Sequence, residues 1–137
     1  MALELWYTNC RSVKNKLVDL QSTIAALPAN TVILLTETWL DPGVLDGELM
    51  DISSHTIFRR DRRGRGGGVL VATPVGISAH RRHDLEHDDL EAIFLSFTFP
   101  EGLFLLDVST ARPSSEIAPT GCLMLLCPQK LLSRTLM

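Results

Sequence analysis

A run of four consecutive apolar residues, Val32, Ile33, Leu34 and Leu35, constrains the fold of this chain most strongly. Side chains of a strand alternate between the two faces of a sheet, so an uninterrupted apolar run is typical of a strand buried on both faces. Such a sheet needs a layer of other elements on each side. The run therefore predicts a layered α/β fold with a buried strand over residues 31–36.

The segment before this strand predicts a first strand and a helix. Over residues 3–8, Leu3, Leu5 and Tyr7 alternate with Trp6, which is typical of a short strand. Apolar residues then recur at steps of three and four, which predicts a helix with its N-cap at Ser12 and its end at Pro28. The residues of this apolar stripe are Val13, Leu17, Leu20, Ile24 and Leu27.

The rest of the pattern is mostly β. Strands are predicted over residues 55–59, 68–73, 90–99 and 103–108, separated by turn signals. In the third of these, one face is apolar and consists of Ile93, Leu95, Phe97 and Phe99. The order β-α-β followed by several β elements predicts an α/β or α+β layered sheet.

The composition is that of a globular domain. The chain has 137 residues, of which 45% are hydrophobic and 21% charged, with a formal net charge of −3. This length predicts one domain, and the composition argues against disordered, collagen-like and low-complexity chains. Three unevenly spaced cysteines predict free thiols in a reducing compartment. We recognise no secretory leader and no membrane-length apolar run, so we expect an intracellular protein without a membrane partner.

Two polar residues follow the first two predicted strands. Glu37 comes directly after the apolar run, and Asn9 follows the first strand. Ligands of open α/β sheets bind at the carboxyl edge of the strands, and a lone carboxylate there suits Mg²⁺, which keeps several of its waters. Glu37 is therefore a candidate metal ligand and Asn9 a candidate for positioning a phosphate or a metal-bound water. A solvated strand end for Glu37 and a turn role for Asn9 are the alternatives.

A basic, glycine-rich segment covers residues 59–68, which we name the Arg/Gly loop. It places five arginines in seven positions, followed by glycines. Guanidinium groups match phosphate oxygens, and glycines allow close approach of the backbone to a polyanion. The loop predicts contact with nucleic acid through Arg59, Arg60, Arg62, Arg63 and Arg65. The alternative is a solvated hairpin end.

Residues 83–87 match the pattern His-x-x-Glu-His, which in some zinc proteases lies on a helix. The surrounding residues 84–91 are mostly acidic and show no apolar stripe that would dock a helix. We therefore expect an exposed acidic loop at this position rather than a zinc site.

Five segments occur in a suggestive order. They are Tyr-Thr-Asn-Cys-Arg-Ser at 7–12, Asn-Lys-Leu at 15–17, Thr-Glu-Thr-Trp-Leu at 36–40, Arg-Arg-Asp-Arg at 59–62 and Gly-Gly-Gly-Val at 66–69. Together they resemble the endonuclease domain of non-LTR (LINE-type) retrotransposons, a branch of the endonuclease/exonuclease/phosphatase superfamily. The resemblance covers roughly residues 3–115.

The resemblance implies a DNase I-like, four-layer α/β sandwich and Mg²⁺-dependent cleavage of phosphodiester bonds in DNA. By position, Glu37 matches the metal-binding glutamate, and Asn9 matches the asparagine that orders the active site. A bound Mg²⁺ would stabilise charge on the phosphate and leaving oxygen during attack by water. The Arg/Gly loop would lie near the DNA backbone. The resemblance also implies a nuclear location.

Several parts of the family pattern are missing from this sequence. The family has Tyr-Arg-Pro-Pro after the strand predicted at 103–108, whereas this chain has Ala111, Arg112, Pro113 and Ser114. The family's later Asp-x-Asn and Ser-Asp-His segments have no match after Ser115. We therefore expect residues 1–115 to form the N-terminal half of an incomplete sandwich, and 116–137 to be an unrelated or disordered tail.

These departures lead to two expectations, and two alternative functions stay open. The chain by itself is expected to lack endonuclease activity, because members of a catalytic unit act together. Half of a sandwich leaves part of the inner, apolar face of its sheets open to water, so we expect self-association through that face. The alternative function is a non-catalytic module that binds nucleic acid through the Arg/Gly loop, and a further alternative is a degenerate product without function.

Overall fold

Two β-sheets and a helical layer form the part of the chain described by the computed structural model, which is residues 3–64, 66–100 and 102–110 with the backbone of 122–126 and 131–132. Sheet A has the order β1-β2-β4-β3 and sheet B the order β5-β6-β7-β8-β9. Sheet A consists of β1 (Glu4–Asn9), β2 (Thr31–Thr36), β3 (His55–Arg60) and β4 (Val69–Pro74). Sheet B consists of β5 (Ala79–Arg81), β6 (Ala92–Phe99), β7 (Gly102–Ser109), β8 (Cys122–Leu126) and β9 (Leu131–Leu132).

The helical layer covers one face of sheet A. It contains a 3₁₀ turn (Lys14–Lys16), α1 (Leu17–Ala26) and the short α2 (Asp46–Leu49). A second 3₁₀ turn covers His83–Leu85, beside sheet B. The architecture is mixed α/β with two sheets and few helices, so the coarse fold class predicted from the sequence is confirmed.

Strand β2 is buried at all six of its residues. Ile33 and Leu35 pack with the helical layer, whereas Val32 and Leu34 pack in the core between the two sheets. The prediction of a strand buried on both faces is therefore confirmed. β2 runs parallel to β1 and antiparallel to β4, so it lies in the interior of sheet A.

The predicted helix is right in its apolar stripe and wrong at its start. Val13, Leu20 and Ile24 are buried, and α1 ends at Ala26, before Pro28. The predicted N-cap at Ser12 is absent, because a 3₁₀ turn precedes α1 and Ser12 has a φ of +83°. The backbone N–H of Ser12 donates instead to the carbonyl of Glu37 at 3.0 Å, which holds this residue in an extension of the sheet.

The remaining predicted strands are observed, and their ends differ from the predicted ends by one or two residues. β6 and β7 form an antiparallel hairpin, and β3 pairs antiparallel with β4. The predicted apolar face of β6 is confirmed, since Ile93, Leu95 and Phe97 are buried in the core between the sheets and Phe99 packs against it. The sequence prediction missed β5 and α2, which span three and four residues.

The C-terminal segment is described only in part. The backbone of β8 pairs with β7, and β9 pairs with β8, so both strands extend sheet B. The other positions of 111–137 lie outside the described residues, including Ala111 at the family's tyrosine position. The boundary between residues 115 and 116 stays a prediction. Within the described part of the chain, no helix has the length and apolarity needed to cross a membrane.

Candidate functional site

Asn9 and Glu37 lie at the same edge of sheet A. β1 and β2 are parallel, and Asn9 is in register with Thr36, the residue before Glu37. Both residues are half-buried and stand at the carboxyl ends of their strands. The expected placement is therefore observed, while the roles of the two residues stay predictions. We name this place the Asn9–Glu37 edge.

Backbone hydrogen bonds continue beyond the strand ends at this edge. On one side of residues 36–39, Cys10 donates to the carbonyl of Thr36 at 2.9 Å and Val13 to that of Thr38 at 3.0 Å. On the other side, Trp39 donates to the carbonyl of Gly67 at 2.8 Å. Residues 36–39 are thus held between the start of the helical layer and the end of the Arg/Gly loop.

The backbone at this edge adopts conformations that side chains disfavour. Positive φ angles occur at four non-glycine residues of the described chain, and all four lie here: Arg11 (+44°), Ser12 (+83°), Glu37 (+50°) and Trp39 (+52°). Each such residue costs on the order of 1–3 kcal/mol, and such strain concentrates at functional sites. The hydrogen bonds of residues 36–39 maintain this geometry. Backbone strain therefore marks the same edge that the sequence singles out.

Tyr7, Thr36 and Cys10 lie next to the Asn9–Glu37 edge and are partly or fully buried. The Tyr7 hydroxyl lies 2.8 Å from Oγ1 of Thr36, and burial raises the pKa of Tyr7. Cys10 is a free, buried cysteine whose pKa is raised by burial to about 11. A thiol with that pKa stays protonated at neutral pH, so Cys10 serves as a packing residue rather than a nucleophile.

At the Asn9–Glu37 edge, Glu37 offers a half-buried carboxylate to a metal ion, whereas Oδ1 of the Asn9 amide is enclosed by the protein. The described residues contain no group of three or more His, Cys, Asp or Glu side chains that could hold a metal. This donor set does not fit a protein-enclosed ion such as structural Zn²⁺ or Ca²⁺. It does fit Mg²⁺, which is commonly bound through one or two carboxylates with water and phosphate completing its shell.

Two of the predicted DNA-binding arginines are committed to contacts inside the protein. Arg59 donates to both carboxylate oxygens of Asp61 at 2.6 and 3.2 Å and to Asp46 at 3.0 Å, and its side chain is only 14% exposed. Arg60 donates to the carbonyl of His87 at 2.8 Å and pairs with Glu86 at 3.5 Å. These two guanidinium groups hold the Arg/Gly loop to neighbouring segments.

Arg62 is paired with Glu91 and lies within electrostatic range of Glu37. It donates through Nε and Nη2 to the carboxylate of Glu91 at 2.8 and 3.2 Å. This hydrogen bonding to Glu91 raises the pKa of Arg62, burial partly opposes it, and the charges of Glu91 and Glu37 add to it. Arg63 is exposed and forms no ion pair with the described residues, and Arg65 lies outside them.

Glu91 is a residue of this edge that the sequence interpretation missed, because it placed Glu91 in an exposed acidic loop. Besides Arg62, its carboxylate accepts hydrogen bonds from the Gly68 N–H and the Thr110 hydroxyl, both at 2.7 Å. It thereby joins the end of β7 to the start of β4, and so sheet B to sheet A. The sequence pattern alone does not indicate a contact between Gly68 and Glu91, which are 23 positions apart.

The His-x-x-Glu-His segment is built differently from a zinc site. Residues 83–85 form a single 3₁₀ turn rather than the helix that the motif requires. Both carboxylate oxygens of Glu86 accept hydrogen bonds from Arg81, at 2.8 and 2.9 Å. Glu86 is therefore an internal ion-pair partner.

Comparisons with protein-family models, with curated proteins and with solved structures give no match to this chain.

Proposed function

We propose that this chain contributes the Asn9–Glu37 corner of a Mg²⁺-dependent phosphodiester-cleaving centre, in a domain of the endonuclease/exonuclease/phosphatase type related to retrotransposon endonucleases. The observation that carries the proposal is the adjacency of Asn9 and Glu37 at the carboxyl ends of two parallel strands. The strained backbone of Glu37 supports it, because strain at a strand end must be maintained by its surroundings.

In this proposal the two sheets with one helical layer correspond to three layers of a four-layer sandwich. Glu37 would hold Mg²⁺ with water in most of its shell, and Asn9 would orient a ligand of that shell. When bound, Mg²⁺ supplies charge stabilisation at a phosphate oxygen. These 137 residues contain no match to the family's later catalytic segments. The chain therefore supplies part of the centre and does not cleave DNA by itself.

Terbium luminescence tests the metal site directly. Tb³⁺ bound at Glu37 lies close to Trp39, whose indole can sensitise its emission, and Mg²⁺ should displace it. We expect Glu37→Gln to weaken Tb³⁺ binding about tenfold or more, because it removes the carboxylate ligand. The matched control is Glu4→Gln, at the exposed start of β1 and the opposite end of the sheet, which should bind as the unmodified chain does. Equal binding by both variants would refute the site.

Nicking of supercoiled plasmid in Mg²⁺ tests the second half of the proposal. The unmodified chain should leave the plasmid intact, because removing members of a catalytic unit removes most of its rate. Mg²⁺-dependent nicking that disappears in Glu37→Ala would show that the chain already holds a complete centre.

The alternative function, a non-catalytic module that binds nucleic acid through all five arginines, is less well supported. Arg59 and Arg60 are neutralised by partners within the protein, and Arg62 is paired with Glu91. A module of this kind would lose affinity steeply with salt, in proportion to the number of phosphates that it neutralises. Of the four described arginines, Arg62 is the one whose guanidinium lies against the loop glycines.

A further inference from the structure

Three successive glycines at the end of the Arg/Gly loop lie against residues 38 and 39, which donate backbone hydrogen bonds to the carbonyls of Gly68 and Gly67. Gly66, Gly67 and Gly68 have φ angles of +75°, +63° and +94°, a backbone that only glycine adopts readily. A Cβ at Gly67 would overlap the guanidinium of Arg62, and a Cβ at Gly68 would overlap Oγ1 of Thr38. The missing side chains therefore let Arg62 lie directly on the loop backbone.

Two N–H donors lie near Gly66, the first of these glycines. Trp39 Nε1 and Arg62 Nη1 lie 3.6 and 3.7 Å from the point that a Cβ of Gly66 would occupy. Neither atom donates a hydrogen bond within the described part of the chain, where Arg62 uses Nε and Nη2 for Glu91. Both side chains reach solvent, with Trp39 45% and the Arg62 side chain 43% exposed.

The Arg62 donor is held by hydrogen bonds to its side chain, and the backbone that carries the Trp39 donor is held as well. The two hydrogen bonds to Glu91 hold the plane of the Arg62 guanidinium, and Glu91 is itself fixed by Gly68 and Thr110. Trp39 is held by its backbone hydrogen bond to Gly67. Donors that are ordered before binding lose less entropy when a ligand arrives.

We propose that Trp39 Nε1 and Arg62 Nη1 form an anion subsite that binds one phosphate group of a nucleic acid backbone. A phosphate presents several oxygens and can accept from a guanidinium and from an indole N–H together. Glu91 is the positioning residue of this subsite. The assignment to nucleic acid rests on the proposed function of the neighbouring Asn9–Glu37 edge, whereas the binding of a phosphate rests on the two donors alone.

The chain contains two tryptophans, which provides an internal control for the test. In protein labelled with ¹⁵N-tryptophan, the indole N–H signal of Trp39 should shift when inorganic phosphate or a short DNA duplex is added at constant ionic strength. The signal of Trp6, which packs against the helical core, should not move. A Trp39 signal unmoved by either ligand would overturn the subsite. A shift with phosphate but none with DNA would overturn the assignment to nucleic acid.

Three variants separate the subsite from general charge effects. Arg62→Met should weaken phosphate binding about tenfold, which corresponds to the loss of one charge-assisted hydrogen bond. Arg63→Met removes the same charge from an exposed arginine of the same loop and should change binding by about twofold at most. Gly66→Ala places a methyl group near both donors and also strains the backbone at a φ of +75°, so its loss of the Trp39 shift supports the subsite only where the circular dichroism spectrum is unchanged. Equal weakening by Arg62→Met and Arg63→Met would overturn the proposal.

The result for the anion subsite can be distinguished from the result for the proposed metal site. If Tb³⁺ binding depends on Glu37 but the Trp39 signal never responds to phosphate, the subsite is wrong and the proposed function stands. If Trp39 responds while Glu37→Gln leaves Tb³⁺ binding unchanged, the subsite stands and its link to phosphodiester cleavage is overturned.

Discussion

The two faces of sheet B differ in what covers them. The inner face packs on sheet A, and its residues Ile93, Leu95 and Leu106 are fully buried. By strand alternation, Phe94, Leu103 and Asp107 lie on the outer face. Leu103 is 47% exposed, and neither helix of the described chain covers this face, because both pack on sheet A. The comparison indicates that sheet B contributes to stability mainly through its inner face.

The carboxylates of Glu91 and Asp107 differ in how far their surroundings stabilise the charged form. Burial opposes ionisation of Glu91, but hydrogen bonds from Arg62, Thr110 and Gly68 outweigh burial and lower its pKa. Burial alone raises the pKa of Asp107 from 3.8 to about 6, and its Oδ1 has no hydrogen-bond partner among the described residues. Glu91, at the junction of the sheets, is thus provided with donors, whereas Oδ1 of Asp107, on the outer face, finds none in the described part of the chain.

The largest expected effect comes from truncating the inner face. Phe97 is 2% exposed, so Phe97→Ala should lower the free energy of unfolding by about 3–5 kcal/mol, through lost burial and the cavity left behind. The matched control is Phe94→Ala on the outer face of the same strand, which should cost about 1 kcal/mol. Urea unfolding monitored by circular dichroism measures both. Equal losses would mean that the outer face is packed as tightly as the inner one.

Removing the charge of Glu91 should have the next largest effect. Glu91→Gln weakens the contacts to Arg62, Gly68 and Thr110 and should cost about 2–3 kcal/mol of unfolding free energy. The pKa of Glu91 is lowered in the folded protein, so its contribution is present at neutral pH and is lost as the pH falls. Asp84→Asn removes an ion pair whose carboxylate is 60% exposed, so it should leave the free energy of unfolding nearly unchanged. Similar losses in the two variants would contradict the role of Glu91 as a brace.

Asp107 should produce a smaller effect of opposite sign. Its folded pKa lies above its ordinary value, so wild-type stability should fall as the pH rises from about 4 to about 6. Asp107→Asn removes this penalty and should raise the melting temperature by about 2–4 °C above pH 6, with no gain below about pH 4. Melting curves of the unmodified protein and of Asp107→Asn across this pH range isolate the contribution of Asp107. A gain that is independent of pH would assign the effect to something other than ionisation.

The sequence could predict the strands and the placement of Asn9 and Glu37 at one sheet edge because their signals are local. Residues 31–36 carry their burial pattern in consecutive positions, and Glu37 follows them directly. Parallel pairing then places Asn9 beside Glu37 with no further information. Ser12 was wrong as an N-cap, because the competing hydrogen bond to Glu37 comes from a segment 25 positions away.

The Arg62–Glu91 brace could not be predicted for the same reason. The sequence presents Arg62 within a basic loop and Glu91 within an acidic one, which suggests two solvated segments. Only the packing of sheet A on sheet B brings the two side chains together, 29 positions apart. The glycines of residues 66–68 were attributed to close approach of a polyanion, whereas the nearest cause is the guanidinium of Arg62 on their own backbone.

The smallest expected change concerns association through the outer face of sheet B. If copies of the chain pair through this face, the sedimentation coefficient should rise with concentration, and Leu103→Lys should weaken the pairing about fivefold, because a half-exposed leucine contributes about 1 kcal/mol on full burial. Val18→Lys is the matched control, since Val18 is apolar and 76% exposed on α1, away from sheet B. A monomer at all concentrations would show that the outer face of sheet B does not drive pairing. Equal weakening by both variants would show that the added charge, rather than the loss of a contact on this face, weakens the pairing.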